Sequence, residues 1–146
     1  IGFAQKREVR RSISNPIAAA GGYSSAADYA RFLEMIASNG EFRGTRILSA
    51  EAIHAMFRDY TNGSASLGKR TNVGKQTGYG LGAWCIAIQS DGQCTQMQSG
   101  GAFGTAPVVA IDEGTIVLLM AKDRMPHIRG YWAEVSDAIR DVLSRS

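Results

Sequence analysis

The stretch Gln98-Ser99-Gly100-Gly101-Ala102-Phe103-Gly104-Thr105 constrains this chain more than any other. It is a glycine-rich crossing between strand-like apolar runs: Ala83-Trp84-Cys85-Ile86-Ala87-Ile88 lies before it, Ala106-Pro107-Val108-Val109-Ala110-Ile111-Asp112 follows at once, and Thr115-Ile116-Val117-Leu118-Leu119-Met120-Ala121 comes after. Glycine inside a strand pattern marks a bulge or a close approach by another backbone or a ligand. Gly100, Gly101 and Gly104 within five residues read as one exposed backbone edge in the middle of a sheet. Such an edge can offer N–H groups to a carbonyl or an oxyanion. The competing reading is that the glycines only relieve a twisted, bulged strand.

The surrounding pattern is antiparallel. Tyr79 to Ile88 reads as a strand, Asp91-Gly92 as a two-residue hairpin turn, and Gln93 to Ser99 as the partner strand. Val108 to Ile111 and Thr115 to Ala121 form a second hairpin around Asp112-Glu113-Gly114. With a two-residue turn at Asp91-Gly92, Cys94 stands opposite Gln89 and Cys85 opposite Gln98. The two cysteines are then roughly 13 Å apart along the ladder, beyond the ~7 Å that a disulfide spans. Two free, half-buried thiols are expected.

Helices flank the strands. Ser24 or Ser25 caps a first helix, and Ser25 with Asp28 has capping-box spacing. Ala26, Tyr29, Ala30, Leu33, Ile36 and Ala37 recur at helical spacing as its buried face, and Asn39-Gly40 ends it. Glu41 to Leu48 reads as a small turn around Arg43-Gly44. Ser49 caps a second helix with Ile53, Met56, Phe57 and Tyr60 inward. Residues 61–77 are polar and non-periodic, a long loop. A last helix is predicted from about Tyr131 to Leu143, burying Trp132, Val135, Ile139 and Val142. The order is helix, helix, antiparallel strands, helix, and the class is α+β: an antiparallel sheet with a C-terminal helix packed on it and two preceding helices. Residues 1–23 form an irregular leading segment and residues 24–146 one domain; 146 residues are too few for two comfortable ones.

Short motif matches carry little. Ser66-Leu67-Gly68-Lys69 fits Ser-x-x-Lys, but that mechanism needs a helix to align the two side chains, and this copy sits in a glycine-containing loop. Tyr60-Thr61-Asn62 fits Tyr-x-Asn, yet Tyr60 reads as core. Lys75-Gln76-Thr77-Gly78 is a Lys-Thr-Gly triplet broken by a glutamine. His54 and His127 lack metal-ligand spacing, and no phosphate loop or dinucleotide fingerprint is present, so no cofactor is expected. Lys6, Arg7, Arg10 and Arg11 cluster without aromatic residues or a binding motif, which reads as a solvated segment and not a nucleic-acid arm. No run approaches the ~18 apolar residues of a membrane span, and no secretion leader is visible.

A longer pattern carries more. Gly21-Gly22-Tyr23-Ser24-Ser25-Ala26-Ala27-Asp28-Tyr29-Ala30-Arg31-Phe32 resembles a helix start in the serine β-lactamase and penicillin-binding-protein-like family, in the branch with class C β-lactamases, D-alanyl-D-alanine carboxypeptidases and related esterases. Asn39-Gly40-Glu41, Gly44-Thr45-Arg46-Ile47-Leu48-Ser49 and Tyr79-Gly80-Leu81-Gly82 look like the next landmarks of that family, in order. Ser99-Gly100-Gly101 looks like its third active-site element, a Lys-Thr-Gly, His-Thr-Gly or His-Gly-Gly triplet on a central strand. The resemblance runs from about residue 20 to the end.

That resemblance implies the C-terminal part of a hydrolase whose nucleophilic serine, lysine and Tyr-x-Asn element lie upstream, so that this part alone is inactive. It implies Ser99, Gly100 and Gly101 as the triplet and the Ala102 N–H as one of two oxyanion-hole donors. The partner of the whole protein would be a small-molecule acyl substrate: a β-lactam, an ester or a D-amino-acid peptide. Ser99 departs from the family's Lys or His, and a neutral hydroxyl does not attract a substrate carboxylate as a cation does. This leans towards an esterase-like or altered specificity. The family is often periplasmic or extracytoplasmic. In it, strands and a helix from the N-terminal end complete the sheet, so self-association of this chain is expected. A catalytically dead member used as a binding or scaffold module is the rival reading.

Overall fold

The computed structural model of the chain describes residues 22–62 and 78–143. Helix α1, Ala26–Ala37, starts where the sequence places it: the Ser25 hydroxyl accepts from the Asp28 N–H at 3.1 Å and donates to the Asp28 carboxylate at 2.7 Å. It ends through Asn39 and Gly40, both at positive φ, whose N–H groups donate to Ile36 and Met35 carbonyls, a left-handed cap that satisfies carbonyls of the last turn. Leu33, Met35 and Ile36 are its buried residues, while Ala26 is exposed.

Strands β1, Glu41–Phe42, and β2, Thr45–Arg46, form a minimal hairpin. Arg43 and Gly44 make its turn, both at positive φ as a two-residue hairpin requires. Helix α2, Ala50–Met56, is capped by Ser49, whose hydroxyl accepts from the Ala52 N–H. Ile53 and Phe57 are buried as expected, but Tyr60 is 54% exposed. The helix has ended by Phe57, so Tyr60 leaves the buried face and its hydroxyl donates to the Ala55 carbonyl.

The main sheet is five-stranded, antiparallel and sequential: β3 (Gly78–Tyr79), β4 (Trp84–Ile88), β5 (Cys94–Gln98), β6 (Thr105–Ala110) and β7 (Thr115–Met120). Tyr79 to Ile88 is therefore two strands folded on each other, not one. Gly80 makes the fold-back possible. It is buried, and a side chain there would overlap the Met56 carbonyl and the Met97 methyl. Gly82 then takes φ +92°, and the Gly80 N–H donates to the Ala83 carbonyl. Tyr79 and Trp84 pair across the resulting hairpin, edge to face, with centroids 4.6 Å apart.

The β4–β5 turn also differs from expectation. The Gln89 N–H donates to the Gln93 carbonyl, the Gly92 N–H to the Gln89 carbonyl, and Gly92 has φ +85°. The loop is thus three residues, Ser90-Asp91-Gly92, and Cys94 stands opposite Ile88 and Cys85 opposite Met97. Two register shifts follow, leaving Ile86 as an extra residue in β4 and Thr95 as one in β5. Bulges bend and coil a hairpin. The Cys85 and Cys94 Cα atoms come to 5.5 Å, and the two form a disulfide, both fully buried. The expectation of free, half-buried thiols is overturned because it assumed a flat ladder.

Helix α1 lies across β6 and β7. Beneath it the cross-strand line Cys85–Met97–Val109–Ile116 joins Leu33, Ile36, Ile53 and Phe57 in the core. Helix α3, Met125–Leu143, begins six residues earlier than predicted. Pro126 fits its first turn, where a missing N–H costs nothing. Its Met125 N–H donates to the Ala102 carbonyl at 2.9 Å, tying it to the end of the sheet. Trp132 is buried and Ile139 half-buried, but Val135 and Val142 are exposed. At ~100° per residue they lie about 60° and 80° round the helix from Trp132, outside the arc turned inward. No described helix is long and apolar enough to cross a membrane.

Candidate functional site

Strand β5 is central, between β4 and β6. Past its last residue the ladder to β6 continues irregularly: the Ser99 N–H donates to the Pro107 carbonyl (3.3 Å) and the Gly101 N–H to the Thr105 carbonyl (2.6 Å). The Gly104 N–H donates to the Gly101 carbonyl, closing a β-turn with Ala102 and Phe103 at its centre, and Gly104 follows at φ +91°. This is the same three-residue loop that joins β4 to β5. Gly104 admits nothing else, since a Cβ there would overlap the Ala121 carbonyl oxygen and lie 2.9 Å from that of Asp123.

On its other side β5 loses its neighbour. The last β4–β5 pair is Trp84–Gln98, and before Trp84 the chain folds away through Gly80–Ala83. Backbone groups alternate sides along a strand, so Ser99 and Gly101 face β6 and Gly100 faces the side that β4 has vacated. Among the described residues, neither the Gly100 nor the Ala102 N–H donates to a backbone carbonyl. Gly100, Ala102 and Phe103 are exposed, Ser99 and Gly101 half-buried. The four residues singled out from sequence are thereby held together as one backbone edge on a fixed hairpin.

Of these four residues Ser99 lines a cavity of about 210 Å³ between α1, the end of α2 and the sheet. Tyr29, Phe32 and Leu33 form one wall, Phe57 and the Leu81–Ala83 turn another, and Met97, Ser99 and Pro107 the floor. None of the lining side chains is ionised at neutral pH. Burial pushes the Tyr29 hydroxyl above its ordinary pKa, so it remains a neutral donor. Of the three glycines read as one exposed edge, Gly100 is exposed, whereas Gly101 is bonded to Thr105 and Gly104 is a buried turn glycine. Sequence reasoning missed the cavity, because α1 and α2 are remote from β5 in the chain.

Sequence reasoning weighed His127 only as a metal ligand and did not pair it with Asp123. Its Nδ1 lies 2.9 Å from the Asp123 carboxylate, at the start of α3. The Arg124 backbone N–H and then His127 hold the Asp123 carboxyl below its usual range. The i,i+4 spacing of Asp123 and His127 was the available signal. Among the described residues, no group of three His, Cys, Asp or Glu side chains comes together to hold a metal ion. Ser66, Lys69 and the Lys75-Gln76-Thr77 run lie outside the described residues, as does most of the 61–77 loop.

Three helices around a sequential antiparallel sheet, with a glycine edge at the end of the central strand, are consistent with a partial β-lactamase-like fold. Among solved structures the chain is similar to the crystal structure of a "putative beta-lactamase from Bacteroides dorei DSM 17855". The two are 27% identical with a TM-score of 0.53, over 65% of this chain and 30% of that one. The matched part thus spans under a third of that neighbour's length. No protein-family model matches the sequence, and no curated protein matches it.

Proposed function

We propose that this chain forms one wall of an acyl-transfer site, as the C-terminal part of a serine β-lactamase-like hydrolase. The observation that carries the reading is that the Gly100 and Ala102 N–H groups donate to no backbone carbonyl among the described residues, immediately after Ser99, which lines an uncharged cavity. In the reaction, a serine hydroxyl from another segment gives its proton to an upstream base as its oxygen bonds to the substrate carbonyl carbon. The carbonyl oxygen becomes an oxyanion, which the Ala102 N–H and the nucleophile's own N–H stabilise. Collapse breaks the bond to the leaving group, which takes up that proton, and water attacks the acyl carbon in turn, freeing the acid and restoring the serine hydroxyl. Each such donor is worth roughly 3 kcal/mol in the transition state, so a single donor without a nucleophile turns nothing over. With Ser99 neutral and no ionised side chain in the cavity, neutral esters and amides suit the site better than substrates anchored by a carboxylate.

Intact-mass spectrometry after exposure to a fluorophosphonate or a penicillin tests this. The chain alone gains no adduct, whereas a longer polypeptide carrying the upstream serine gains one. In that polypeptide Ala102→Pro removes the donor while suiting the first central position of the turn. It slows acylation about 10²- to 10³-fold with little change in melting temperature. A serine adduct on the chain alone sinks the reading, and absence of labelling in both polypeptides moves the binding-module reading ahead.

A further inference from the structure

An oxyanion donor at Ala102 needs a fixed direction. Such a donor acts only from about 2.7–3.1 Å, and only if it need not reorganise as charge appears. The direction of the Ala102 N–H depends on the two peptide planes that meet at its Cα. The first, Gly101–Ala102, is trans, and its carbonyl accepts from the Gly104 N–H at 3.2 Å. Carbonyl and N–H point opposite ways across a trans peptide, so this bond turns the Ala102 N–H out of the turn. At 3.2 Å it lies at the long end of the N–H···O range. The second plane, Ala102–Phe103, is held by a shorter bond: its carbonyl accepts from the Met125 N–H at 2.9 Å. That bond reaches in from the first residue of α3.

Met125 is itself braced. The Ala121 N–H donates to the Gly104 carbonyl at 2.8 Å, so the connection from β7 to α3 grips the turn at two carbonyls, Gly104 and Ala102. Between these bonds the Asp123 carboxylate accepts from the Arg124 N–H at 2.6 Å and meets His127 Nδ1 at 2.9 Å. The His127 N–H in turn donates to the Arg124 carbonyl. Residues 121–127 are therefore a bonded strut. The Met125 methyl would stand 3.7 Å from a Cβ on Gly100, an ordinary contact. The N–H, and not the thioether, is the group that grips.

We propose that Met125 is a positioning residue for acyl transfer: by holding the Ala102 carbonyl, its backbone N–H fixes the direction from which the Ala102 N–H meets the oxyanion. Met125 touches no substrate and acts through Ala102. This role rests on the hydrolase reading, and it gives the Asp123–His127 brace a use.

Met125→Pro tests it, in the longer polypeptide that carries the upstream serine. Proline suits the first helical position, and residue 125 already precedes a proline, so its backbone is already restricted and the N–H is the main loss. With a fluorophosphonate, the maximal rate of adduct formation falls about 10- to 100-fold, as misplacing a group in a site does. The half-saturating probe concentration stays within about twofold, since the lost contact acts only in the transition state. The conservative variant Met125→Ala keeps the N–H and restores the rate to within about threefold of wild type. In the chain by itself, nitrogen-15 relaxation gives the Ala102 amide an order parameter of about 0.85 in wild type and Met125→Ala, and below about 0.6 in Met125→Pro. Thermal scans show whether Met125→Pro folds. If it does not, an ester in place of the Arg124–Met125 peptide bond removes the same hydrogen, keeps the side chain and decides alone. A wild-type polypeptide that forms no adduct sinks the hydrolase reading and this role with it. A wild type that acylates leaves that reading standing, and the role of Met125 is then overturned by any of three results: Met125→Pro acylates as fast or loses only affinity for the probe, its Ala102 amide stays rigid, or Met125→Ala is as slow as Met125→Pro.

Discussion

Gly104 and Gly100 stand four residues apart in one loop and answer to different constraints. Gly104 has φ +91° and no room for a Cβ against two carbonyl oxygens of the β7–α3 connection. A Cβ on Gly100 would meet only the Met125 methyl, at 3.7 Å, an ordinary contact. Gly104→Ala is expected to lose roughly 2–4 kcal/mol in urea unfolding, from left-handed strain plus the forced shift of backbone. Gly100→Ala is expected to stay within about 1 kcal/mol of wild type. If the two cost the same, the loop geometry is wrong. This distinction was invisible in the sequence, where three glycines in five residues looked alike. The Ser25–Asp28 cap was legible because all its partners lie within one helical turn. The need for glycine at position 104 was not, because the oxygens that impose it arrive from residues 121 and 123.

At the scale of elements, the periodic segments were legible and their interruptions were not. Helix α1 and strands β5 to β7 were readable from spacing alone. The hidden break lies at Gly80–Gly82, where an apolar run that reads as one strand turns back on itself to approach α2. The candidate site depends on that break, since a straight strand from Tyr79 to Ile88 would have run on past Trp84 alongside Ser99 and Gly100. The disulfide was misjudged for a related reason. A register counted along flat strands gave the cysteines no way to meet, and two bulged residues bring them together. Closing a loop with sequence separation 9 lowers the entropy of the unfolded chain by an amount worth about 2.5 kcal/mol. The double variant Cys85→Ala/Cys94→Ala is expected to be destabilised by about 2–3 kcal/mol in guanidinium titrations, with the far-ultraviolet dichroism of the native state unchanged. A destabilisation below about 0.5 kcal/mol would mean that the bulges, not the covalent link, set the shape of the hairpin.

At the scale of the molecule, one core connects the parts. Leu33 and Ile36 of α1, Ile53 and Phe57 around α2, and Met97 and Val109 of the sheet are buried together. The two tryptophans report from either side of this arrangement: Trp84 pairs with Tyr79 in the β3–β4 hairpin, and Trp132 is buried in α3. We propose that residues 24–146 unfold as one unit. Single-tryptophan variants, Trp84→Phe and Trp132→Phe, are then expected to show the same fluorescence midpoint as far-ultraviolet dichroism of the same variant. Separated midpoints would divide the chain into two cooperative parts.

The three-residue loop that occurs twice has a consequence of its own. One copy enters β5 and the other leaves it, and each fixes its strand by a glycine in the left-handed region. Sliding β5 by a single residue would turn Met97 and Cys94 outward together and would carry the Gly100–Ala102 edge to the wrong side. The same slip would part Cys94 from Cys85. A misthreaded chain therefore keeps two alkylatable thiols, and a correctly threaded one hides both as cystine. Counting reactive thiols in a refolded sample, without any substrate, becomes a proofreading assay for the geometry of the edge.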